Sequence, residues 1–292
     1  MIPAAIIKKI KRVHIKSRRT VNNLMAGHYR SVFRGSGIEF EEVREYSPGD
    51  DVKSIDWNVS ARFNKPFIKR YREERESIVM LLIDVSASLQ FGTFSGQKLE
   101  TAAEVASVLA FNAIKNNDKV GVIFFTDQVE KYIPPKKGSA HIWRVIKEIF
   151  TFVPQGRGTD IGSAVEFMSR ISKKRCFVFV LSDFLGKGYE KALKIARQRH
   201  EIIGIRIFDP GAFDLPQKGM VRFTDFETQK SLIFDAFHKK TRQEFSRVKN
   251  EIHDQVQGIF SKAKTDLVEM STQDSVSDTL TRYFRLRERR FR

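Results

Sequence analysis

Ile78-Val79-Met80-Leu81-Leu82-Ile83-Asp84-Val85-Ser86-Ala87-Ser88 decides the fold. A short, unbroken apolar run rich in branched residues reads as a strand buried on both faces of a parallel sheet. Its carboxyl end turns polar, and open α/β sheets hold their ligands at that end. Asp84, Ser86 and Ser88 alternate there, so one carboxylate and two hydroxyls can point the same way. Hard oxygen donors gathered like this suit magnesium or a similar cation.

Outward from this strand, segments of two periods alternate along the chain. Lys98 to Lys115 keeps Ala102, Val105, Ala106, Leu109, Ala110 and Ala113 on one helical stripe, as a helix packed on a sheet requires. Asp118 to Thr126 reads as a second strand, followed by a short edge strand near Val129 to Ile133 that Pro134 and Pro135 should stop. Ala140 to Phe152, Ile161 to Ser172 and Tyr189 to Arg199 read as helices, and Cys176 to Leu181 and Ile202 to Phe208 as strands. Met220 to Phe223 and Ser231 to Phe234 suggest an appended hairpin. A long charged helix over 237–263, a strand from Asp266 to Met270 and a helix from Asp274 to Leu286 close the chain. The expected fold is α/β, with a doubly wound, mostly parallel sheet, an N-terminal β-containing extension and the appended hairpin.

The domain reading places a basic amphipathic helix in 1–30, a small β-containing extension in 31–77, the α/β domain in 78–286 with its hairpin near 220–235, and a basic tail in 287–292. In the extension, Ile38 to Tyr46 and Pro66 to Tyr71 are strand candidates, and Glu39, Glu42, Arg44, Asp50, Asp51, Asp56 and Arg62 suggest a paired polar network around Trp57.

The net charge of +17 is concentrated at the two ends of the 292-residue chain. Nine basic residues and no acid precede Glu39, and six arginines against Glu288 follow from Arg282. Basic ends on a nearly balanced body point to an anionic partner or surface. Residues 1–19 could lie on an acidic bilayer, although a helix docked on its own domain is the preferred reading. The ends also permit nucleic-acid binding, with Tyr283, Phe284 and Phe291 interleaved among arginines; no recognised nucleic-acid module accompanies them. No apolar run reaches membrane-spanning length. The single cysteine, Cys176, excludes an intrachain disulfide. A cytoplasmic protein, at most peripheral to the inner face of the membrane, is expected.

If the sheet is doubly wound, three loops meet at its carboxyl edge: Asp84 to Ser88, Gly158-Thr159-Asp160 and Ser182-Asp183. Asp84 and Asp183 would balance a dication, while Ser86, Ser88 and Thr159 would add neutral oxygens. Asp84-x-Ser86-x-Ser88 with Thr159 and Asp183 resembles the metal-ion-dependent adhesion site of von Willebrand factor A domains. In such domains a partner's Asp or Glu completes the shell. Upstream, Gly37-Ile38-Glu39-Phe40, Arg44-Glu45-Tyr46, Pro48-Gly49-Asp50-Asp51, Ile55-Asp56-Trp57 and Glu73-Glu74-Arg75 resemble the domain-of-unknown-function 58 family. That resemblance implies a MoxR-type AAA+ ATPase as partner, while the resemblance to the adhesion site implies a client protein with an exposed Asp or Glu and magnesium, or manganese or calcium, as the ion.

Enzymatic readings find less support in the residues. A phosphatase of the haloacid dehalogenase type needs a second Asp two residues after the first, where Ser86 stands. There is no P-loop, no Gly-x-Ser-x-Gly and no His-Glu-x-x-His. A non-enzymatic, metal-dependent protein-binding module is therefore expected.

Overall fold

The structure, a computed structural model, describes residues 37–74, 76–90, 98–213, 219–224, 231–236 and 238–290. The expected basic helix within 1–30, the loop at 92–96 and the turn of the appended hairpin lie outside the described residues. Of the described residues, those from Gly37 to Ser77 belong to one unit and those from Ile78 onward to another.

In the first unit, β1 (Gly37–Glu45) pairs antiparallel with β2 (Phe67–Glu74), with a register shift between Phe40 and Glu42. The connection holds a 3-10 turn (Val52–Ser54) and the helix α1 (Trp57–Phe63). Asp56 caps α1, its Oδ1 accepting from the backbone N–H groups of Asn58 and Val59 at 3.0 and 3.3 Å, which satisfies two orphan donors of the first turn. The helix stops at Asn64, which takes the left-handed conformation that asparagine tolerates. Arg44 pairs with Asp50 at 2.7 Å and Lys69 with Asp56 at 3.2 Å. Trp57 is 69% exposed. It sits in the first turn of α1 directly after the capping Asp56.

From Ile78 onward the elements are β3 (Ile78–Asp84), α2 (Lys98–Lys115), β4 (Lys119–Phe125), β5 (Val129–Lys136), α3 (Ser139–Thr151), α4 (Ile161–Ile171), β6 (Phe177–Ser182), α5 (Glu190–Arg197), β7 (Glu201–Phe208), a 3-10 turn (Pro210–Phe213), β8 (Met220–Thr224), β9 (Ser231–Asp235), α6 (Lys239–Ala263), β10 (Asp266–Ser271) and α7 (Val276–Arg290). The main sheet has the order β10-β7-β6-β3-β4-β5, parallel throughout except for the antiparallel edge strand β5. This is the doubly wound α/β sheet the alternation of periods predicts.

Both faces of the sheet are covered, which explains why β3 and β4 read as continuous apolar runs. On one face Met80, Leu82, Ile123, Phe125, Val178 and Val180 meet Ile161, Val165 and Met168 of α4, Leu193 of α5 and Phe260 of α6. Val79, Leu81 and Ile83 alternate with them and are equally buried. The small residues of α2 let that helix lie close to β3 and β7. The antiparallel pair β8 and β9 forms the appended hairpin, and its Phe223 and Phe234 rings pack on Phe245 of α6, at centroid distances of 4.6 and 5.2 Å.

Two boundaries differ from the sequence reading. β5 continues through Pro134 and Pro135 to Lys136. As an edge strand it needs no ladder donor on its outer side, and its pairing skips between Val120/Lys136 and Val122/Ile133. Gly121 makes the room: a Cβ there would lie 2.9 Å from the Pro135 ring. At the other end, 287–290 is not a tail. Helix α7 runs to Arg290, with Ser275 Oγ accepting from the Asp278 N–H at 3.4 Å. Arg287 is 5% exposed and pairs with Asp266 of β10 at 3.0 Å and Glu201 of β7 at 3.2 Å.

Gly204, in the middle of β7, leaves the space filled by the Phe260 ring; a Cβ there would fall 2.3 Å from Phe260 Cζ. Phe260 cannot retreat, because it is buried and packs edge-on against Phe184 at 5.0 Å. Overpacking at such a point costs about 1–3 kcal/mol. Gly204→Ala is expected to lower the urea midpoint by a corresponding amount with an unchanged m-value, read by circular dichroism.

Candidate metal centre

The carboxyl ends of β3 and β6 lie side by side at the point where the chain reverses its direction of travel across the sheet, the place such sheets reserve for ligands. Asp84, the last residue of β3, has no exposure, and neither has Ser86. Asp84 Oδ1 accepts the Ser86 backbone N–H at 2.9 Å, and Oδ2 accepts the Ser182 hydroxyl of β6 at 2.6 Å. Ser182 in turn accepts the Phe184 N–H at 3.1 Å. The first bond folds the turn after β3 back on the carboxylate, and the other two fix the start of the loop after β6.

That turn brings the Ser86 and Ser88 hydroxyl oxygens to 3.1 Å from one another. Two neighbouring ligands of an octahedral magnesium ion, each at about 2.1 Å, stand about 3.0 Å apart. The hydroxyl pair therefore has the spacing of one edge of such a shell. Asp183, 3% exposed, follows Ser182 on the adjacent strand end; its Oδ1 accepts the Leu185 N–H at 3.3 Å.

Thr159 reaches the same edge on the loop between α3 and α4. The Arg157 carbonyl accepts from Ala87 N–H at 3.1 Å, and Asp160 N–H donates to the Thr126 carbonyl beyond β4 at 2.8 Å. A Cβ on Gly186, in the loop after β6, would lie 3.2 Å from the Thr159 carbonyl oxygen. The backbone at Thr159 is thus held between the turn after β3 and the loop after β6. All five residues expected at the site belong to three loops in mutual contact, and Asp84, Ser86, Ser88 and Asp183 stand on adjacent strand ends.

Burial, and then the negative charge of Asp183, push the Asp84 carboxyl up to about 7, against the pull of the Ser182 and Ser86 hydrogen bonds. Among the described residues no group of three or more His, Cys, Asp or Glu is gathered as a metal site. A cation here would rely on two carboxylates and on hydroxyl oxygens, a donor set of hard oxygens that fits magnesium better than a soft metal.

Three participants lie outside the expected set. Ser182 holds Asp84. Lys98, the first residue of α2 and itself buried, places its ammonium 2.9 Å from Asp183 Oδ2. Glu130 of β5 anchors the Thr159 loop from the sheet's edge: its Oε1 accepts from Gly156 N–H at 2.7 Å, Gln155 N–H at 3.1 Å and the Thr126 hydroxyl at 2.8 Å. The sequence signal for Ser182 is its place at the strand end beside Asp183. For Lys98 it is a cation in the first turn of a helix, where the macrodipole disfavours it. Glu130 has no local signal.

The aromatics of the C-terminal helix are not presented for base stacking. Phe284 is fully buried, and the Tyr283 hydroxyl donates to Asp266 Oδ2 at 2.9 Å while accepting from Arg287 at 2.8 Å. Among the described residues no helix is long and apolar enough to cross a membrane.

Residues 42–255 match the family described as "Protein of unknown function DUF58". The chain belongs to the DUF58 family. An uncharacterized protein of Mycobacterium tuberculosis (strain H37Rv) is 28% identical over 222 residues, 75% of this chain and 70% of that one. The uncharacterized protein YeaD of Bacillus subtilis is 24% identical over 107 residues, 37% of this chain and 25% of that protein. Among solved structures, the conserved hypothetical protein BatB from Bacteroides thetaiotaomicron covers 73% of this chain and 99% of its own, at 16% identity and a TM-score of 0.47. The SpRpn10 VWA domain covers 70% and 94%, at 14% identity and a TM-score of 0.42. Neither superposition adds to what the strand order already shows, that this DUF58 chain has a doubly wound α/β sheet.

The Glu130 anchor generates a test. Burial raises its carboxyl, but the hydrogen bonds from Gly156, Thr126 and Gln155 outweigh it and hold the group below the ordinary value of 4.5. Its contribution is complete above that ordinary value and is lost as pH falls through the lowered one. Glu130→Ala is expected to speed amide exchange at Gln155 and Gly156 at least tenfold near neutral pH, with β3 and β6 still protected. In the unaltered protein the same two amides lose protection only on acidification.

Proposed function

We propose that this chain is a non-enzymatic protein-binding module that captures an exposed Asp or Glu of its partner through a divalent cation, magnesium first and manganese or calcium as alternatives. The ion would be held by Asp84, Ser86, Ser88, Thr159 and Asp183. The observation that carries this reading is the Ser86 and Ser88 hydroxyl pair, 3.1 Å apart, beside two buried carboxylates at the strand-order reversal. When bound, the cation would supply a Lewis-acidic point to which a foreign carboxylate can attach. The chain's own residues set the direction of that point: Ser182 fixes Asp84, the turn after β3 fixes the hydroxyls, and Glu130 holds the loop that bears Thr159.

No acid stands two residues beyond Asp84 to protonate a leaving group, and the sequence carries no nucleotide-binding loop. An adaptor or chaperone-like partner of a MoxR-type AAA+ ATPase, with the ATPase supplying the nucleotide chemistry, fits these absences. The ATPase rests on the resemblance to the DUF58 family alone. A cytoplasmic setting fits a single buried cysteine.

Titration calorimetry with magnesium and manganese is expected to show one site, lost in Asp84→Ala while circular dichroism stays native. An unchanged isotherm in that variant would remove the five-residue site. Pull-down from a lysate is expected to recover the ATPase or client in magnesium and to lose it in chelator; retention under both conditions would remove the bridging role of the ion.

A further inference from the structure

Lys98 is not explained by the reading above. Its side chain is 9% exposed, that of Asp183 is 3% exposed, and the ammonium stands 2.9 Å from Asp183 Oδ2. A buried ammonium is costly unless paired, and the first turn of α2 is the wrong end of a helix for a cation. Both penalties are met in order to place a positive charge on one of the two carboxylates of the candidate site. Asp183 stands on the strand end beside that of Asp84, so the two carboxylates are neighbouring like charges at one edge of the sheet. Lys98 cancels one of them.

We infer that Lys98 is a tethered counter-cation that competes with the divalent ion for Asp183, and so sets the metal affinity of the site below what its oxygen donors alone would give. The inference rests on the metal reading proposed above. With both carboxylates ionised, as ligands of a dication must be, the ammonium of Lys98 leaves a single negative charge; without it they carry two. The affinity of an oxygen site for a hard dication follows the charge of its ligands, and an ammonium beside Asp183 repels an arriving dication. Exchange is sterically feasible because the charge sits on a flexible four-carbon stem, which can turn away when a metal or its bound water takes over Asp183. A lysine serving only to pack the start of α2 would not respond to the ion at all.

Two measurements on the full chain separate these cases. In calorimetric titrations with magnesium chloride and manganese chloride, Lys98→Met is expected to bind at least tenfold more tightly than the unaltered protein. Lys98→Arg, which keeps the charge, should stay within about threefold. In the unaltered protein, acylation of amines followed by mass spectrometry should label Lys98 slowly in chelator and severalfold faster in saturating magnesium. This second measurement decides the matter if Lys98→Met does not fold. The inference is overturned if Lys98→Met binds the ions no more tightly than the unaltered protein, if Lys98→Arg matches the gain of Lys98→Met, or if the labelling of Lys98 is indifferent to bound magnesium. Those outcomes leave the metal site standing. Failure of every form to take up either ion would instead remove the metal reading, and the competition with it.

Discussion

The carboxylate of Asp84, wholly withdrawn from solvent at the end of the central strand, is the constraint on which the site depends. A charge so placed has to be met by donors or neutralised. Its two oxygens take one bond each, from the Ser86 backbone and the Ser182 hydroxyl. The first requires the chain after β3 to turn back on itself at once. The second requires β6 to lie alongside β3 in a register that puts Ser182 opposite the strand end. A tight turn and a neighbouring strand end are what bring Ser86, Ser88 and Asp183 together. One buried group thus dictates the local geometry of four others.

Support for this arrangement comes from far along the chain. Phe184, immediately after Asp183, holds a left-handed backbone with φ of 57°, a conformation that costs a bulky side chain on the order of 1–3 kcal/mol. Its ring is locked edge-on against Phe260 of the long helix α6 and tilted against Tyr189 at 5.7 Å. Gly204 of β7 leaves the hollow in which Phe260 sits. The strained turn that aims Asp183 is therefore maintained by packing contributed by β7 and α6. On the opposite side of the sheet, Glu130 ties the Thr159 loop to β5. The loops of the site are irregular, but each is fastened to a regular element.

How much of this could be read beforehand depends on the range of the interaction that fixes each feature. β3, α2, β4 and β6 are legible because apolar runs and helical stripes are local patterns. The meeting of Asp84 and Asp183 is legible because one rule, that parallel strands bring their carboxyl ends to one edge, converts local patterns into a meeting point; Thr159 lies between two helices and is brought there by backbone bonds of its loop to Ala87 and Thr126. Features that depend on distant partners are not legible. β5 passes through two prolines because Gly121, on the neighbouring strand, gives them room. Arg287 is drawn into the structure by Glu201 and Asp266, so a stretch that reads as a basic tail is the end of a helix anchored by one buried arginine. Lys98 and Asp183 are 85 residues apart in sequence, and nothing near either one announces the pair. The exposure of Trp57 is likewise not legible, because a large aromatic among charged residues carries no local sign of which side faces water.

The composition of the site also bears on the kind of binding it suits. A permanent structural ion is usually wrapped in enough anionic ligands to make its loss costly. Here two carboxylates share the edge with three hydroxyls, and the hydroxyls bring oxygen without charge. Burial and the charge of Asp183 favour the protonated form of Asp84, and Asp183 already has a cation beside it. The fold can therefore exist without a dication, since neither carboxylate is left as an uncompensated buried charge. What the residues do not supply is a third anionic ligand. A carboxylate arriving from another protein would supply it, and the ion and that carboxylate would then stabilise one another's attachment. Under the proposed metal-bridged binding, such a shortage of charge would make docking reversible, whereas a site rich in acids would hold its ion irrespective of any partner.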